Sequence, residues 1–139
     1  MNARLDYRLV DTPAAYREAA GALAHGRGPF AVDTERASSF RYGDRSFLVQ
    51  VARRGAGTFL IAPEGHRDEV REIFAPVLCG QEWIIHAAGE DLRSLALLGL
   101  HPGILFDTEL ASRIAGYDRP NLAAMVERFV GVELELSLI

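Results

Sequence analysis

The chain has 139 residues, of which 49% are hydrophobic and 24% charged, with 13 Gly and 6 Pro. That size and balance fit a single domain over residues 1–139 and exclude a disordered, collagen-like or low-complexity chain. The net charge of −4 argues against a generic polyanion-binding tail, and all 15 bases are arginine, which rules out a lysine nucleophile, a Schiff-base lysine and a Walker A loop.

Thr12 is a plausible N-cap with Pro13 at the first helical position, and Gly26 follows, so a first helix is predicted over 12–25. PFAVDT at 29–34 is a short apolar run opened by Pro and reads as a buried strand. SFLVQVA (46–52) and GTFLIA (57–62) are two more strands, joined by a hairpin-length Arg53-Arg54-Gly55-Ala56 connection. Val70, Ile73, Phe74, Val77 and Leu78 share one face of a helix over 66–78, which Pro76 is expected to kink or end early. EWIIH at 82–86 reads as a fourth strand, followed by a helix over about 89–98 with Gly99 behind it. Ile104-Leu105-Phe106 is a fifth strand, after which Asp107 with Thr108 can cap a helix through about 115. Pro120 opens a last helix whose Leu122, Met125, Val126 and Phe129 share a face, and VELELSLI at the end alternates like an unpaired strand. Three strands in a meander, then strands alternating with helices, predict an α/β fold: a mixed sheet covered by helices on both faces.

No apolar run is long enough to span a bilayer, the N-terminus lacks a signal-peptide layout, and Cys79 is the single cysteine. Neither a disulfide framework nor a Cys-based zinc site follows, and a cytoplasmic protein without a membrane partner is expected.

Asp33 and Glu35 lie two apart at a strand exit, so both side chains leave the same face of the sheet. Two such carboxylates repel unless a cation sits between them, and hard divalent ions take all-oxygen ligands; a pair of solvated acids is the alternative. Asp91 follows the fourth strand in the first turn of a helix, where an acid also suits the helix dipole. Strand four is a natural parallel neighbour of strand one, and active sites gather at the carboxyl ends of parallel strands, so the three acids are expected to converge. Residues 27–54 carry Arg27, Arg36, Arg41, Arg45, Arg53 and Arg54 against Asp33, Glu35 and Asp44, a local basic patch. Arg36, Arg41 and Arg45 could hold phosphates bidentately or be solvated loop residues. His86, beside Asp91, could touch substrate, orient a neighbour or bond backbone in the core. Asp107 reads as a cap more than as a metal ligand, Gln50 has no assigned role, and Trp83 and the phenylalanines fit core positions.

AVDTE at 31–35 followed by FLVQV at 47–51 resembles the first exonuclease motif of the DEDD superfamily, most closely ribonuclease D. IIHAAGEDLRSL at 84–95 resembles the second motif, and residues 105–137 are similar to the stretch that follows it. The resemblance implies a 3′-5′ exonuclease on an RNase H-like fold, with two Mg²⁺ or Mn²⁺ ions held by four carboxylates. Asp33, Glu35 and Asp91 match three of them: Asp33 would bridge both ions, Glu35 would hold the one that generates the attacking hydroxide, and Asp91 would support the other. Two such ions clamp the attacking and leaving oxygens of an in-line displacement.

The fourth carboxylate belongs to a Tyr-x-x-x-Asp motif that does not occur after Asp91, since Tyr117 and Asp118 are adjacent, and Leu136 stands where the family usually has Lys. The 139 residues are therefore expected to be an incomplete exonuclease domain, inactive alone and lacking its C-terminal helices. RNA 3′ ends, single-stranded or structured, are the partner the resemblance implies, with DNA and the oligomeric state left open. A non-catalytic nucleic-acid- or protein-binding module on the same scaffold is the rival reading.

Overall fold

The apolar runs become the centre of a six-stranded sheet in a computed structural model, which describes residues 7–36, 47–86 and 88–114. In chain order the elements are β1 (Tyr7–Val10), α1 (Pro13–Ala24), β2 (Arg27–Arg36), β3 (Phe47–Arg54), β4 (Gly57–Ile61), α2 (Arg67–Leu78), β5 (Glu82–Ile85), α3 (Ala88–Leu97), β6 (Ile104–Asp107) and α4 (Thr108–Ile114). The strands lie in the order β1-β4-β3-β2-β5-β6. β2, β3 and β4 form the expected antiparallel meander, and β5 and β6 continue it in parallel on the β2 side. The predicted mixed α/β sheet is the one observed. The helix expected from Pro120 and the alternating tail lie outside the described residues.

β1 was not among the predicted elements. It is four residues long, three of them exposed, and it pairs in parallel with β4 at the edge of the sheet. So short a run, with no turn signal before it, carries no readable period. Pro76 does not end α2, which runs on to Leu78. It lies one turn from the helix end and is exposed, so the carbonyl it leaves without a partner can face water.

Local chemistry sets the helix ends. Thr12 caps α1, its hydroxyl accepting from the Ala15 amide at 3.2 Å, with Pro13 at the first position. The β3–β4 hairpin turns on Gly55, at φ +84°. Alternation along the strands gives each face its own set. Val10, Phe30, Val32, Val49, Val51, Phe59, Ile61, Trp83 and Ile85 share one core with Tyr16 and Leu23 of α1, Phe74 and Leu78 of α2, and Leu95 of α3. Tyr16 pins the two helices together: its ring meets Phe74 edge-on at 5.8 Å, and its hydroxyl donates to the Ala62 carbonyl. Trp83 donates its indole N–H to Leu78 O at 2.8 Å. The opposite face carries Ala31, Ala52, Leu60 and Ile84, also buried, together with Gln50 and Thr58.

Candidate active site

β2 outruns its parallel neighbour. The last registered pair with β5 is Ala31–Ile84, whereas pairing with β3 continues to Arg36. From Asp33 onward β2 therefore has a strand on one side only, and the chain leaving β5 turns into α3 at the open side. Asp33 and Glu35, two apart on a regular ladder, share the face opposite the helical core, as expected. Thr34, between them, points the other way, toward α3. Its hydroxyl donates a short hydrogen bond to Asp91 Oδ1. The first turn of α3 is thus tied to the strand that bears the acid pair.

The electrostatics follow from this crowding. Asp33 is half-buried, and its carboxyl is pushed up to about 7, first by loss of water and then by the negative charge of Asp91. Glu35 pushes the same way, while the Thr34 amide, donating to Asp33 Oδ1 at 2.9 Å, favours the ionised form. Burial also raises Glu35. Asp33 and Asp91 are accordingly close enough to resist simultaneous ionisation, a condition that a divalent cation relieves. The all-oxygen, anionic donor set fits Mg²⁺ or Mn²⁺ in chemistry. In geometry the three acids do not close into a cage: among the described residues no three His, Cys, Asp or Glu side chains gather tightly enough to hold one ion.

The remaining candidates divide. His86 is half-buried, and its Nδ1 lies 2.9 Å from Thr108 Oγ1, so its partner is a side chain and not the core backbone. Asp107 caps α4, accepting from the Glu109 and Leu110 amides at 2.9 and 3.3 Å through Oδ1, and its Oδ2 accepts from Ala88 N at 2.9 Å. Both oxygens are engaged, which bears out the capping role.

The basic patch does not form one surface. Arg27 and Arg54 are paired partners at the end of the β2–β3 ladder that adjoins the β3–β4 hairpin, away from Asp33 and Glu35. Counted along β3 from Gln50, the partner of Asp33, to Arg54, four residues at about 3.3 Å each put them about 13 Å from Asp33. Arg53 is part of the fold: it stacks 4.2 Å above the Phe30 ring and donates to Leu23 O and Gly28 O, each at 2.8 Å. Only Arg36 ends β2 on the acidic side. Its side chain, like Arg41 and Arg45, falls outside what the structure describes.

Three residues at or near the site escaped the sequence reading. Thr34 could have been found from alternation, which sets it on the helix side of a strand exit. Thr108, fully buried, had only a capping signal. Gln50 is the registered partner of Asp33 and lies on the same face, with a buried amide nitrogen that has no hydrogen-bond partner.

Comparison with known proteins places the site in a family. Residues 7–139 match the 3′-5′ exonuclease family. Among solved structures, a Bifidobacterium adolescentis protein is 34% identical with a TM-score of 0.68, the match covering 94% of this chain and 34% of that one. The catalytic core of RRP6 from Trypanosoma brucei is 25% identical with a TM-score of 0.67, over 97% of this chain and 37% of that one. Escherichia coli RNase D, an exoribonuclease involved in structured RNA processing, is 26% identical with a TM-score of 0.65, over 96% and 36%. This chain spans about a third of the length of each. No curated protein matches it. The matching motifs, the RNase H-like α/β sheet and the family match over all but the first six residues together make this chain an RNase D-like member of the 3′-5′ exonuclease family.

Proposed function

We propose that the open end of β2 is the metal-dependent site of a 3′-5′ exoribonuclease that removes nucleotides from RNA 3′ ends. The observation that carries this reading is the Thr34–Asp91 hydrogen bond, which ties the first turn of α3 to the strand that bears Asp33 and Glu35, on an exonuclease fold. Asp33, Glu35 and Asp91 would hold the divalent ions, Mg²⁺ or Mn²⁺, which supply charge neutralisation at the phosphate and an activated water. The protein's part is to orient these carboxylates, whose ionised forms the bound cation would favour. Thr34 fixes one oxygen of Asp91, and the Thr34 amide favours the charged form of Asp33. RNA is favoured over DNA by the RNase D likeness.

Because no Tyr-x-x-x-Asp follows Asp91, the 139 residues alone are expected to digest RNA feebly or not at all. A weakened nucleophile costs about tenfold in rate for each 1.4 kcal/mol of lost transition-state stabilisation. The rival reading, a non-catalytic binding module, is favoured by the absence of a three-ligand cluster among the described residues.

Calorimetric titration with Mn²⁺ separates the two. Weak binding by the wild type that disappears in Asp33→Ala supports the exonuclease site; equal binding by both proteins removes it. A longer protein that supplies the missing motif is expected to shorten single-stranded RNA from the 3′ end, and an inert one would favour the binding module.

A further inference from the structure

The chain from β5 into α3 is held by a second mount, opposite Thr34. β5 lies between β2 and β6, and registers Phe30–Trp83 and Ile85–Asp107 put Thr34 and Asp107 on the same face of the sheet, one on each flanking strand. Thr34 grips Asp91. Asp107 grips Ala88, the first residue of α3, with one oxygen while its other oxygen caps α4. The next residue, Thr108, fully buried, places its hydroxyl 2.9 Å from the His86 ring, two residues before α3 begins. Both ends of the three-residue link 86–88 are therefore fastened to the start of α4. A carboxylate suits this bridge because both its oxygens accept, whereas an amide offers one acceptor and one donor.

We propose that Asp107 is a positioning residue for Asp91: by joining the α4 N-terminus to the Ala88 amide it sets where the first turn of α3, and with it the Asp91 carboxylate, stands against β2. The proposal rests on the reading of Asp91 as a metal ligand, and the link 86–88 is the only covalent route from β5 to that ligand. Indirect support of this kind alters metal affinity by about tenfold or more when removed.

The test uses the 139-residue chain, Mn²⁺ as the probe and Asp107→Asn as the variant. Asn caps helices about as well as Asp, so α4 keeps its cap while the Ala88 bond is lost. Asp107→Asn is expected to weaken Mn²⁺ binding about tenfold and to have no further effect in an Asp91→Ala background. It is also expected to speed exchange of the Ala88 amide while the β2–β4 amides stay as protected as in the wild type. Unchanged affinity, an equal loss in the Asp91→Ala background, or an unchanged Ala88 amide each overturns the proposal. A wild type that binds no Mn²⁺ sinks the metal-site reading instead, and Ala88 exchange still decides whether the bridge exists. Should Asp107→Asn not fold, Thr108→Val, which removes only the arm to His86, is carried through the same cycle, and a loss independent of Asp91 counts against the idea.

Discussion

Asp33 binds its proton more tightly in the folded protein than in the unfolded chain, since its carboxyl is pushed up to about 7 from an ordinary value near 3.8. Between those values the native state holds more protons than the unfolded state, so stability falls as pH rises through the window. The penalty is absent below it and complete above it. Asp33→Asn is expected to flatten this limb and to stabilise the protein at pH 8 by about 1–2 kcal/mol, after allowance for solvent screening. Denaturant midpoints at pH 4 and pH 8 for both proteins check this; a wild type equally stable at both would contradict it. Asp33 and Glu35 were legible in advance because a two-residue spacing on a strand has only one geometric meaning. Alternation sets Thr34 on the other face, but its bond to Asp91, 57 residues away in the chain, is in no strand pattern. Gln50 needed the register of β3 against β2, which no single-strand pattern contains.

At the level of elements, the strands and helices with clear periods were found among the described residues, and their errors were confined to their ends. β1 failed for want of length, and Pro76 misled because a proline near the last turn sacrifices little. What no period reveals is the meeting of the α2–β5 turn with the approach to β6. Gly80 N donates to His101 O at 3.1 Å, and Gly103 N donates to Gln81 O at 2.8 Å. A methyl group on Gly103 would collide with Gly80 O, a backbone atom that has no rotamer by which to move aside. Gly103→Ala should therefore cost about 2 kcal/mol or more, in the range of strained backbone substitutions, and should displace β6 and the Asp107 that ends it. A melting temperature within a degree of the wild type would show that the two loops can separate freely.

For the whole molecule, the distribution of arginine predicts, on the proposed function, where RNA would run. Arg27, Arg53 and Arg54 sit at the hairpin end and Arg53 is bound up with Phe30, so they are poor candidates for a rim around the acids. Replacing Arg36, Arg41 and Arg45 together should lower the slope of log affinity for single-stranded RNA against log salt by about 2, at about 0.7 for each phosphate no longer neutralised. Arg27→Ser should leave it unchanged. If Arg27→Ser flattens the slope and the triple variant does not, the RNA follows the hairpin end. The net charge argues only against a generic polyanion-binding tail, and the acidic total says little about so local a distribution.

The pairing of β1 with β4 has a consequence in time. Val10 stands beside Ile61, so closing this parallel pair draws together segments about fifty residues apart, and the entropy of that closure is offset by only four residues of ladder. The β2–β4 meander, by contrast, closes between strands that are neighbours in the chain. β1 is therefore expected to dock onto a sheet that already exists and to open without disturbing the meander. In native-state hydrogen exchange, the amides of β1 should open in a sub-global event that leaves Val49–Ala52 protected, and in refolding they should gain protection after the meander. Simultaneous protection of β1 and the meander would mean that the edge strand belongs to the folding nucleus.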